Sequence, residues 1–165
     1  MVRYRRGERA AFAELVRRYV ASLHTFAWYL TRNSHLADQL VVDTFLEVVG
    51  RAAEFKHETR FATWAFSIAL RQARQLTNQG AFAPGDHEEE LGERSPTACA
   101  SRALAGLPTL QLEALLLVEL GGMRLDEIAE LLELDPTTLR MQLGYAIEFV
   151  RQAFSGLEEY VRALR

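Results

Sequence analysis

The sequence predicts an all-α protein built as two helical modules, and three observations carry that prediction. Apolar residues recur at i, i+3 and i+4 over long stretches, whereas period-two runs of Val, Ile and Thr are missing. Hydrophobic residues make up 49% and charged residues 25% of the chain, the balance of a protein with a packed interior. The charge is also divided along the sequence. Residues 1–79 hold 12 Arg or Lys against 7 Asp or Glu, residues 80–106 hold 2 against 5, and residues 107–165 hold 5 against 10. A basic first half and an acidic second half mark modules with different electrostatic tasks, at 1–79 and 107–165, joined by an acidic flexible linker at 80–106.

The first predicted helix covers residues 8–31, with Ala11, Phe12, Leu15, Val16, Tyr19, Leu23, Phe26, Ala27 and Leu30 along one stripe. "TRNSH" breaks it, and Ser34 is the expected N-cap of the second helix. That helix puts Leu36, Leu40, Val41, Thr44, Phe45 and Val48 on one side. A polar loop at 54–60 precedes a third helix, "FATWAFSIALRQARQLTNQ", with Phe61, Trp64, Ala65, Ile68 and Ala69 directed inward. Gly, Pro, Ser and acidic residues then break every period, and a structureless stretch of that length argues for a boundary. The "EEE" at 88–90 reads as extended, soluble linker, with a DNA-mimicking segment as the sharper alternative.

In the second module, Pro108 falls in the first turn of a helix that Gly121 and Gly122 stop. "RLDEIAELLELD" forms a shorter helix with Asp126 and Glu127 near its positive end. Asp135 then N-caps a long helix with Pro136 at its first position. A short helix, a tight turn and a longer helix make a helix-turn-helix.

Several function classes have no support. Cys99 stands alone, so no internal disulfide can form. No apolar run reaches the roughly 18 residues of a membrane span. "MVRYRRGERAAF" is basic without a following signal-peptide core, so the expected location is the cytoplasm. His24, His35, His57 and His87 lack metal-ligand spacing, and neither a Gly-rich phosphate loop nor a nucleophile elbow is present. No metal, cofactor or enzymatic chemistry is expected.

The segments "GERAAFAELVRRY", "ADQLVVDTFLEVV", "RFATWAFSIA" and "LAGLPTLQLEALLLVELGGMRLDEIAELLELDPTTLR" resemble bacterial RNA polymerase sigma factors of the extracytoplasmic-function (ECF) group, in order and in spacing. The resemblance implies a first domain that binds the clamp helices of core RNA polymerase and melts the minus-ten promoter element. It implies a second domain that binds the polymerase flap and reads the minus-thirty-five element with its last helix. Carried over by position, it implies polymerase contact by Asp38, Gln39, Val42, Asp43 and Glu47. Minus-ten DNA would meet Lys56, His57, Arg60, Trp64, Arg71 and Arg74. Promoter DNA or a partner would meet Thr137, Thr138, Arg140, Met141, Gln142 and Tyr145.

The departures from the family pattern are informative. Gln39 stands where an acid is usual, Val42 where Gln is usual, and Glu47 where a basic residue is common. Ala62, Ser67 and Leu70 occupy positions that are often basic, leaving Arg71 and Arg74 on that helix. In the last helix the stretch "TLRMQLGYAIEFV" keeps Arg140 alone, with Met141, Gln142, Gly144, Tyr145, Ile147 and Glu148 where polar or basic residues are usual. Phosphate contacts supply the salt-dependent part of DNA affinity, and Arg is the commonest reader of guanine. An acidic module with so few cations binds duplex weakly by itself, although tethering to polymerase raises its effective concentration. Two functions follow: a sigma factor with weak DNA-reading residues, or a sigma-like decoy that binds an anti-sigma factor or another regulator. In the second, Met123, Met141, Leu143, Tyr145 and Ile147 would form an apolar docking groove.

Overall fold

A computed structural model describes residues 1–56, 58–78 and 96–163, with backbone alone for 96–100 and 156–163. His57 and the acidic run at 88–90 therefore lie outside the described residues. Those described form helices without any strand, the predicted class. The helices are α1 (Val2–Arg5), α2 (Arg9–Thr31), α3 (Ser34–Gly50), α4 (Phe61–Asn78), α5 (Pro96–Ala105), α6 (Thr109–Glu119), α7 (Leu125–Leu132) and α8 (Pro136–Ala163). None of them is long and apolar enough to cross a membrane.

Helix ends follow local chemistry. α2 stops where Arg32 turns left-handed at φ 50°. The cap of α3 is Asn33 and not Ser34: Asn33 is extended, and its side chain accepts the Leu36 N–H at 3.0 Å. Ser34 is the first helical residue instead. α7 opens with Glu127 reaching back to the Arg124 N–H at 2.8 Å. Asp135 caps α8 as expected, accepting from the N–H groups of Thr137 at 2.9 Å and Thr138 at 3.0 Å.

One helix falls inside the stretch read as linker. α5 begins with Pro96 at its first position, where a missing N–H costs nothing, and the rest is rich in Ala. It packs against α8. Tertiary contact thus recruits a segment whose polar composition had marked it as punctuation.

Helices α2, α3 and α4 form the first bundle around Leu23, Phe26, Leu40, Phe45, Val48 and Phe66. The rings of Phe26 and Phe66 meet edge-on, 5.1 Å apart. The second bundle sets α6 and α7 against α8, with Leu117, Ile128, Leu139 and Ala146 at its centre. The two cores are continuous. α6 touches α2, and a Cβ placed on Gly121 would lie 3.4 Å from the Phe66 ring. The packing of α4 also differs from its predicted face. Phe61 and Trp64 are half-buried, while Ala62, Phe66, Leu70 and Ala73 join the interior.

Candidate functional site

The first surface lies on α3. Residues Leu40, Val41, Thr44, Phe45 and Val48 face the core, so a second stripe with the same helical spacing must face water. It consists of Asp38, Gln39, Val42, Leu46 and Val49, with Asp43 at its edge. Val42 is 57% and Leu46 64% exposed, a contiguous apolar patch of the kind that marks an interface. Leu46 and Val49 are absent from the expected polymerase contacts. The signal for them was their 4-then-3 spacing from Val42, offset from the core stripe.

Glu47 departs from the other expected contacts. It is half-buried and turns toward α4, accepting from Arg51 at 2.9 Å, from Gln72 at 2.9 Å and from Arg71. Burial pushes its pKa up, but the hydrogen bonds from Arg51, Arg71 and Gln72 prevail and hold it below the ordinary value. Glu47 ties α3 to α4 and does not belong to the exposed face.

The second surface surrounds the start of α4. An aromatic row runs from Tyr19 to Phe61 at 5.1 Å, on to Trp64 at 6.5 Å, and ends on Phe55, 5.1 Å from Trp64. Lys56, Arg60, Arg71 and Arg74 are exposed around it. Aromatic faces beside cations are the ingredients of a single-strand nucleic-acid site. A cleft of about 530 Å³ brings together Trp64, Arg71 and Arg74 with Leu131 and Glu133 of the second bundle. Arg74, Arg60 and Thr63 are engaged across the bundles. Arg74 grips the Glu113 carboxylate through Nε at 3.0 Å and Nη2 at 2.6 Å. Arg60 donates to the Gly122 carbonyl at 2.5 Å, and the Thr63 hydroxyl to Glu127 at 3.0 Å. The Glu113 carboxylate raises the Arg74 pKa, against the opposing effect of burial.

The third surface is the first half of α8. Thr137, Arg140, Met141, Gly144 and Tyr145 are exposed, and Thr138 is half-buried at the cap. Gln142 is held against α6, where its side-chain oxygen accepts from Gln111 at 3.0 Å. The apolar groove suggested for a docking partner is not formed by the five residues named for it. Met123 and Leu143 are core residues, since they close the gap between α6, α7 and α8. Met141, Tyr145 and Ile147 remain exposed. Among the described residues, no group of three or more His, Cys, Asp or Glu side chains is arranged to hold a metal ion.

Similarity to known proteins covers both bundles. The family described as sigma-70 region 2 matches residues 15–80, and that described as sigma-70 region 4 matches residues 97–148. The RNA polymerase sigma factor CarQ of Myxococcus xanthus is 28% identical, over 96% of this chain and 97% of its own length. The ECF RNA polymerase sigma-E factor of Haemophilus influenzae is 27% identical, over 94% of this chain and 93% of its own. Among solved structures, CnrH in complex with the cytosolic domain of CnrY aligns with a TM-score of 0.70 at 24% identity, covering 91% of each chain. The sigma factor RpoE of Bartonella quintana, in complex with the anti-sigma factor NepR, gives 0.67 at 18% identity, covering 88% of this chain and 97% of the other. Both structures share the fold.

Proposed function

The chain belongs to the sigma-70 family of RNA polymerase sigma factors, in its ECF group, and from that premise we propose that it binds core RNA polymerase and directs promoter-specific initiation with atypically weak DNA-reading residues. The observation that carries this reading is the exposed stripe on α3. Asp38, Gln39, Val42, Leu46 and Val49 mix apolar contact area with one acid and one amide, the mixture a protein interface uses. Residues 1–79 then serve the polymerase clamp and the minus-ten element, with Lys56, His57, Arg60, Arg71 and Arg74 near the unpaired strand and Trp64 as its stacking face. Residues 107–165 serve the minus-thirty-five side. There Thr137, Thr138, Arg140 and Tyr145 supply few cations for phosphates, and Gln142 is occupied by Gln111.

In vitro transcription with core polymerase tests the reading. The full chain should yield start-specific transcripts, and Val42→Asp should abolish them without unfolding the protein. Start-specific transcription at full level by the Asp variant would remove the α3 assignment.

A second reading is favoured by Met141, Tyr145 and Ile147, which stand exposed where a DNA-reading helix needs charge. A sigma-like decoy or adaptor would offer them to an anti-sigma factor or another regulator, as the Bartonella quintana sigma factor of similar fold was solved with the anti-sigma factor NepR. Tight regulator binding by a chain with no affinity for core polymerase would establish this alternative.

A further inference from the structure

The first nine residues hold four arginines, Arg3, Arg5, Arg6 and Arg9, against one acid, Glu8. They supply +3 of the +5 carried by residues 1–79, so residues 10–79, the minus-ten loop included, carry only +2. The cluster precedes residue 15, where the match to sigma-70 region 2 begins, so the motifs that place the minus-ten residues assign it nothing. It is nevertheless built into the fold. Gly7, at φ 95°, takes a backbone conformation that side chains disfavour and turns the chain from α1 into α2. The Tyr4 ring lies 5.2 Å from Phe12, which in turn meets Phe45 of α3 edge-on at 6.1 Å. Arg5 donates through Nη1 to the Phe55 carbonyl at 3.2 Å. Phe55 ends the aromatic row, and the exposed Lys56 follows it, so α1 is fastened beside the stacking face. Arg3 is engaged by Glu8 at 2.9 Å, and Arg71 shares Glu47 with Arg51. Arg6 and Arg9 differ: both are exposed, and among the described residues neither meets an acid.

We propose that α1 and the start of α2 extend the single-strand site, with Arg6, Arg9 and Lys56 holding the sugar–phosphate backbone of an unpaired DNA strand as it leaves the aromatic row. The inference rests on the minus-ten assignment made above. Bases need rings to stack on, whereas the backbone between them needs only a positive track. Trp64 supplies the first, and α1, whose Tyr4 ring packs on Phe12, supplies the second. The extension is therefore indifferent to sequence. It provides cations that Ala62, Ser67 and Leu70 do not, at positions of α4 that are often basic. Most of the first module's excess charge, and with it most of its salt-dependent affinity, then comes from a segment outside the motifs that place the site.

The test uses the full chain and the fluorescence anisotropy of a labelled single-stranded oligodeoxynucleotide, titrated with salt from about 50 to 200 mM. Arg6→Gln with Arg9→Gln removes the two free cations. The charge-matched control is Arg17→Gln with Arg18→Gln, further along α2, where both arginines already share Glu14. The first variant should flatten the log–log salt slope by about 1.4, the share of two phosphates on a single strand, and the control by less than half of that. All four positions are exposed, so circular dichroism should match the parent. Equal slopes for the two variants, or no salt-dependent binding by the parent at the lowest salt, overturn the inference. A slope change on blunt duplex and none on the single strand overturns it as well. Trp64→Leu, which removes the stacking face and keeps apolar bulk, separates the two claims. Weaker single-strand binding at an unchanged slope supports the shared track. Weaker binding by Trp64→Leu beside equal slopes for the arginine variants overturns the extension alone. A flattened slope for Arg6→Gln with Arg9→Gln, beside parental affinity in a folded Trp64→Leu chain, overturns the minus-ten assignment and with it the track.

Discussion

The α3 stripe makes a prediction whose size follows from geometry. Leu46→Ala deletes three carbons from a side chain that is 64% exposed. Three buried methyl or methylene groups are worth about 2.4 kcal/mol when wholly desolvated. Only the part now in water can be gained on docking, so the loss on truncation is roughly 1.5 kcal/mol, or about tenfold in affinity. Val42, at 57% exposure, loses two carbons in the same substitution, and the pair together should cost roughly fiftyfold. Neither change touches the core, so stability should stay within about 0.5 kcal/mol of the parent. The assay is equilibrium binding of labelled core polymerase, with thermal melting beside it. Val20→Ala on α2, where the valine is 39% exposed, serves as the control that should do nothing. Binding by Leu46→Ala within twofold of the parent, with an intact fold, would refute the argument that this stripe is the docking face.

Other expectations are shorter to state. A Cβ on Gly121 would sit 2.7 Å from the Leu117 carbonyl oxygen, so Gly121→Ala should lower stability by about 1–3 kcal/mol in a thermal or urea melt. Gly144 is the opposite case: it lies mid-helix with open space around it, and Gly144→Ala should stabilise by about 0.5–1 kcal/mol. Gly144→Arg should also make duplex binding more salt-dependent, steepening the log–log slope by about 0.9 if the new cation meets a phosphate. Glu47 has a depressed pKa in the folded chain, so its contribution to stability is present above the ordinary value of 4.5 and is lost as pH falls through the lower folded value. The parent should therefore lose melting temperature on acidification through that window more steeply than Glu47→Gln.

The parts of the molecule legible in sequence were those governed by neighbours along the chain. Helical spacing located α2, α3 and α4, and Asp135 with Pro136 marked the start of α8. What stayed hidden depends on contacts between distant segments. Ala62 and Leu70 looked like lost surface cations, yet they are interior residues. Met123 and Leu143 looked like docking residues because composition cannot separate an apolar groove from an apolar core. Nothing next to Glu113 in the chain marks it as the buried acid that Arg74 meets. One clue was available: α6 is apolar on nearly every side, which a helix covered on one face alone does not need. For the candidate sites, residue types were readable by position, but their partners were not. Arg60, Arg71 and Arg74 are exposed and basic as expected, and nothing local in sequence says which carboxylate or carbonyl each will find.

Arg32 supplies a last consequence. Its guanidinium, at the left-handed end of α2, stacks 5.2 Å above Trp28 and reaches the Ser101 carbonyl of α5 at 3.3 Å. The chain's other tryptophan, Trp64, borders the cleft beneath Leu131 and Glu133. Each native indole thus stands at a seam between the bundles, one under a cation and one beside an acid. Their emission is a built-in gauge of separation, readable in a stopped-flow cell on unlabelled protein.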